Sequence, residues 1–160
     1  MHVSVRIQED DISVADEYRA LRDRMPGTIG AIATFIGLVR DQQADDEVLS
    51  LTIEHYPGMT EQSIHTIVES AGKRWPLDDV VIVHRVGELT AHEQIVFVQV
   101  AAGHRAAAFA ACEFLMDYLK TDAVFWKREA TPHQTRWLES STQDKSRARA
   151  WKTTESTEQS

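Results

Sequence analysis

Two hydrophobic periods alternate along this chain, and the places where one gives way to the other mark its elements. Val3, Val5 and Ile7 alternate with polar residues and predict a short first strand. From Val14 the spacing turns helical, with Val14, Tyr18, Leu21 and Met25 on one stripe. Ser13 and Asp16 ahead of that stripe have capping-box spacing, and Pro26-Gly27 stops it. Residues 30–40, GAIATFIGLVR, are apolar on both faces, as a central strand would be, with Gly37 marking a bulge or a close backbone approach. The polar run 41–47 reads as a mobile loop. Residues 48–56 read as a strand and Pro57-Gly58 as a turn. Thr60 is the expected cap of a second helix that carries Ile64, Ile67, Val68 and Ala71 and ends at Gly72.

The apolar runs 80–86 and 95–101 predict a hairpin whose long tip is residues 87–94. Beyond Gly103 a third helix carries Phe109, Cys112, Leu115, Met116 and Leu119. Residues 123–129 return to period two, with Phe125, Lys127 and Glu129 on one face and Val124, Trp126 and Arg128 on the other. After Glu139 only Trp151 is large and apolar, so residues 1–140 are expected to form a single domain and 141–160 a poorly ordered tail. The order β-α-β-β-α-β-β-α-β indicates an α+β fold with a largely antiparallel sheet and three main helices.

Composition narrows the function classes. At 160 residues, 42% apolar and 26% charged, the chain is long enough for one globular core. A net charge of −8 argues against general binding to nucleic acid or to anionic membranes. Cys112 is the only cysteine, so intrachain disulfides and thiolate zinc sites are excluded. His55, His65, His84, His92 and His133 are scattered without metal-ligand spacing, and no phosphate-binding or nucleophile-elbow motif occurs. No metal and no cofactor are therefore expected. No apolar run approaches membrane-spanning length and the start lacks a leader pattern, which points to the cytoplasm.

Against that acidity, the cations at the joints of the last predicted unit stand out. His104 and Arg105 lie where the third helix begins, a place suited to anions but unfavourable to cations, so their stabilisation must come from elsewhere. Lys120 lies at the helix end, where the helix dipole alone would favour it. Arg40 ends the central strand and has an ordinary solvated reading beside the functional one. Lys127 shares a strand face with Phe125 and Glu129: burial there would lower its pKa and the carboxylate would raise it, and sequence leaves the net direction open. Cys112 falls on the apolar stripe and reads as core. The residues alone describe a cationic site for an anionic substrate, with lysines available for proton transfer.

The stretches GAIATFIGLVR, LTIEHYPGMTE, HRVGEL, GHRAAAFAACEFLMDYLK and FWKRE, spanning residues 30–129 in that order, resemble the large, catalytic subunits of molybdopterin synthase. The resemblance implies the α/β-hammerhead fold and a sulfurtransferase reaction in molybdenum cofactor biosynthesis. The substrate would be cyclic pyranopterin monophosphate, precursor Z. The donor would be the thiocarboxylated C-terminal Gly-Gly of a small ubiquitin-like subunit, and two transfers would build the dithiolene of molybdopterin. It also implies a homodimer of the large subunit within a heterotetramer. By motif, Lys120 and Lys127 would be catalytic. Arg40, His104 and Arg105 would bind substrate, and Phe35, Met116 and Glu129 would line the pocket. The chain departs from the pattern at Val124, where proline is common, and at the tip Ala91-His92-Glu93. It departs again at Ser140-Ser141, near a position that often carries arginine, for which Arg136 and Arg147 are the candidate substitutes. Two other readings compete: a non-catalytic module that keeps only the partner interface, and an unrelated phosphoester-binding enzyme that needs no protein partner.

Overall fold

A computed structural model gives the fold and describes residues 1–43 and 46–155. The strands are β1 (His2–Gln8), β2 (Ala31–Leu38), β3 (Gln42–Gln43), β4 (Asp46–Glu47), β5 (Ser50–His55), β6 (Leu77–Arg85), β7 (Gly87–Leu89), β8 (Gln94–Ala102), β9 (Phe125–Ala130) and β10 (Thr135–Leu138). The helices are α1 (Val14–Arg24), α2 (Met59–Arg74), α3 (Arg105–Leu119) and α4 (Thr142–Glu155). The larger sheet runs β1-β6-β8-β2, antiparallel except for the parallel β1–β6 pair. The smaller sheet, β10-β9-β5-β7, is antiparallel throughout. The α+β expectation with largely antiparallel strands holds, with a fourth helix added to the expected three.

Period and burial agree where it matters most. Val80, Ile82, Val98 and Val100 face α2 and α3, where Ile64, Val68, Phe114 and Leu115 complete the main core. Val81, Val83 and Phe97 point to the opposite face, with Ile12. The smaller sheet has its own core of Val48, Leu51, Ile53 and Leu89, extended by Val39 and Val86. Gly87, at φ +90°, lets the chain leave β6 and enter the second sheet as β7 after a single residue. The expected hairpin tip at 87–94 therefore contains a strand of the other sheet. At Gly37 the β2–β8 register shifts, as expected of a bulge, and a Cβ there would lie 2.8 Å from the Val96 side chain at Cγ1 rather than against another stretch of backbone.

Several local expectations need correction. Gly58, not Thr60, caps α2; its N–H donates to Glu61 Oε2 at 2.7 Å, and the helix passes through Gly72 to Arg74. Thr60 instead accepts the Tyr56 N–H at 2.9 Å and donates to the Val124 carbonyl at 2.7 Å. Ser13 caps α1 by position, but its hydroxyl donates to the Asp16 carboxylate and no side-chain cap bond forms. The run 41–47, expected to be a loop, contains the short β3–β4 ladder; residues 44 and 45 lie outside the described residues.

The largest correction concerns residues 141–160. Ser141 and Asp144 form a reciprocal capping box: Ser141 Oγ donates to Asp144 Oδ2 at 2.7 Å and accepts the Asp144 N–H at 3.0 Å. The helix that follows is pinned at its far end. Trp151 Nε1 donates to Asp117 at 2.8 Å, and its ring meets Trp75 and Phe114 edge-on at 5.6 and 5.5 Å. Buried Ala148 and half-buried Trp151 are its apolar contacts, too few to produce a visible stripe in the sequence. Residues 156–160 lie outside the described residues.

Candidate functional site

Where the smaller sheet meets the end of α3 and the start of α4, the fold leaves a cavity of about 670 Å³. β9 supplies Phe125, Lys127 and Glu129, all on one strand face because successive side chains alternate. The C-terminal end of α3 contributes Leu119 and Lys120, and the chain leaving β2 contributes Arg40. The first turn of α4 forms the remaining wall, with Asp144 and Lys145. Ser140 Oγ donates to the Lys120 carbonyl at 2.6 Å and ties that wall to the end of α3.

Four of the eight residues expected at the site thus meet here: Arg40, Lys120, Lys127 and Glu129. The other four lie elsewhere on this chain. His104 is the N-cap of α3 and Arg105 its first residue, both exposed. Fifteen helical residues, roughly 22 Å at ~1.5 Å each, separate that end from Lys120. Phe35 is exposed on β2, an edge strand, and Met116 packs against the main core.

Lys127 is half-buried and its pKa is lowered to about 8, first by loss of solvent and then by the charge of Lys120; Asp144 opposes the shift. The direction left open by the sequence is therefore downward. Glu129 does not hold it up, because that buried carboxylate accepts two bonds from Arg136, at 2.8 and 3.2 Å, across the β9–β10 pair. Arg136 is committed to Glu129, and Arg147 to Asp117 and Glu113. Neither candidate substitute for the family arginine lines the cavity. Cys112 is buried and its thiol is pushed up to about 11, in keeping with a core residue.

One residue behind the cavity was not singled out from sequence. His84, buried on β6, stacks on Phe125 with ring centroids 3.9 Å apart and planes 21° apart. Its Nδ1 lies 2.7 Å from the Arg85 carbonyl, which makes Nδ1 the protonated nitrogen of a neutral ring. Burial and then the nearby Lys127 charge depress its pKa to about 3. It opens the HRVGEL stretch, but neither that motif nor any period gives it a role; only the stacking of the two sheets does. Val124, where the family often has proline, donates its N–H to Ser63 Oγ at 3.2 Å, a bond proline could not make, and so fixes the approach to β9 from α2.

Among the described residues no group of three or more His, Cys, Asp or Glu side chains is placed to hold a metal ion, and no helix is long and apolar enough to cross a membrane. What the arrangement offers is a cationic cavity with one lysine whose amine is neutral in an appreciable fraction near neutral pH, beside a second, charged lysine.

Comparison with known proteins agrees with that chemistry. A family model described as MoaE protein matches residues 7–122. The molybdopterin synthase catalytic subunit of Vibrio cholerae is 50% identical over 147 residues, covering 92% of this chain and 97% of that protein. The Escherichia coli protein of the same name is 50% identical over 139 residues, 87% of this chain and 91% of the relative. A solved structure, the molybdopterin biosynthesis MoaE protein from Burkholderia ambifaria, superposes with a TM-score of 0.78 at 52% identity, covering 93% of this chain and 97% of that one.

Proposed function

The chain belongs to the MoaE protein family, the catalytic subunits of molybdopterin synthase, and from that membership we propose how its cavity carries out sulfur transfer. The acceptor is cyclic pyranopterin monophosphate and the donor a thiocarboxylated C-terminal Gly-Gly of a small ubiquitin-like subunit. The tail of that subunit reaches the cavity, and its sulfur attacks a substrate carbon as a carbon–oxygen bond breaks; water then cleaves the acyl carbon–sulfur bond of the resulting thioester, leaving the sulfur on the substrate and a carboxylate on the small subunit. Protons must be taken up and given back at oxygen during ring opening and loss of water. Lys127, neutral in a fraction of molecules, accepts a proton and returns it; Lys120, charged and exposed, stabilises oxyanions as they develop. Arg40 faces the phosphate. The observation that carries this reading is the joint presence of Lys127, Lys120 and Arg40 in one cavity.

His104 and Arg105 enter the same proposal through a second copy of the chain. One helix cannot bring both of its ends to one small substrate, so we place these two residues in the partner's site within a two-fold homodimer, with a small subunit on each large one. The reaction is placed in the cytoplasm. The test supplies the purified chain with thiocarboxylated small subunit and cyclic pyranopterin monophosphate and assays the dithiolene product. The Lys127→Ala variant should fold and bind the small subunit normally yet form no product. Wild-type rates from that variant would remove Lys127 from the mechanism.

A further inference from the structure

We propose that Lys145, on the first turn of α4, binds an anionic group of the ligand that occupies the cavity; the inference rests on the sulfur-transfer reading and adds to it a residue and an element. The chain carries 25 acidic residues against 17 basic ones, yet the cavity is lined by four cations, Arg40, Lys120, Lys127 and Lys145, against three carboxylates. Two of those carboxylates are already engaged, Glu129 by Arg136 and Asp144 by Ser141. Among the described residues Lys145 has no ion-pair partner and no side-chain hydrogen bond; its backbone N–H donates to the Ser141 carbonyl at 3.1 Å.

Its position is fixed by the fold. Ser140 holds the start of α4 to the end of α3, and Asp117 receives both Trp151 Nε1 and Arg147 Nε, each at 2.8 Å. Arg74 donates to the Trp151 carbonyl at 2.9 Å. A lysine held this way beside Lys120 and Lys127 gives an oxyanion a further donor, and neither Arg136 nor Arg147 is available for that purpose. Two sources provide such an oxyanion, the phosphate of the pterin and the terminal carboxylate or thiocarboxylate of the donor subunit.

Binding measured without turnover decides the matter. Inorganic phosphate and a short peptide ending in Gly-Gly carboxylate are titrated separately into the full chain and into three variants at one ionic strength. Lys145→Ala should weaken one of the two by about fivefold, the scale of a single partly exposed charge contact. Lys145→Arg should restore it. Lys152→Ala, which removes the same charge from an exposed position on α4 away from the cavity, should change nothing. The probe that weakens names the source of the anion. Equal affinities across all variants, no binding of either probe by the wild type, or equal weakening by Lys152→Ala would each overturn the proposal. The dithiolene assay is scored apart: a wild type that binds anions but makes no product refutes the sulfur-transfer reading and leaves the role of Lys145 standing.

Discussion

Lys127 shows how two neighbours divide control of one amine. With a pKa of about 8, roughly one tenth of the molecules carry it neutral at pH 7, against a negligible fraction for a free lysine. Lys120 pushes that value down and Asp144 pulls it up, so substitutions at the two positions should move it in opposite directions. Lys120→Gln should raise the Lys127 titration midpoint. Asp144→Asn, which keeps a capping side chain at that position, should lower it. Side-chain NMR of Lys127 as a function of pH reads both, and equal midpoints in all three proteins would show that burial alone sets the value. His84 supplies a second residue-scale outcome. Its folded pKa is depressed, so below pH 6.5 the unfolded chain binds a proton that the folded chain refuses until about pH 3. Stability therefore falls as pH drops through that window, by up to about 1.4 kcal/mol per unit from this group. His84→Phe keeps a ring against Phe125 and removes the titration. Between pH 6.5 and 5 it should lose about 2 kcal/mol less stability than wild type in urea melts. Equal losses would mean that His84 is already protonated in the fold.

At the scale of elements, α4 is where sequence and structure part. Its apolar content is too low for a stripe, and its attachment depends on Asp117, Trp75 and Phe114, more than 20 residues away in sequence. The helix is held as much by directed bonds as by buried area, and hydrophobic period carries no record of those. Trp151→Ala should cost about 2–3 kcal/mol, the range for truncating a partly buried aromatic. Amide exchange should then speed up across α4 and leave β6 and β8 protected, whereas uniform acceleration over the whole chain would show that α4 is not a separable unit. Elsewhere period sufficed. β6 and β8 were legible because both of their faces are covered, α3 because a continuous stripe meets the main core, and β9 because alternation put Phe125, Lys127 and Glu129 together. The β1–β6 pairing and the switch of β7 into the second sheet were not, since strand partners are chosen by tertiary packing. The candidate site divides in the same way. Arg40, Lys120, Lys127 and Glu129 were identifiable by type and motif. The downward shift of Lys127, the pairing of Glu129 with Arg136 and the whole α4 wall depend on contacts between distant segments.

For the whole molecule, the length of α3 carries the argument. His104 and Arg105 at one end and Lys120 at the other are set apart by a continuous 15-residue helix, and no side chain spans that distance. If all three act on one substrate, they come from two chains. In the proposed homodimer a two-fold operator would make the arrangement reciprocal, each chain lending its helix start to the other's cavity, so that every dimer would contain two equivalent sites. An Arg105→Ala homodimer and a Lys127→Ala homodimer should both be nearly inactive, because each disables both of its sites. A heterodimer of the two variants puts both lesions in one site and neither in the other. Mixed after verified subunit exchange, the variants should therefore regain up to half of the wild-type rate per heterodimer. The wild-type requirement for the small subunit should be unchanged, since the intact site is the native one. No recovery, with exchange established by native mass spectrometry, would sink the shared site and return Arg105 to a role outside catalysis.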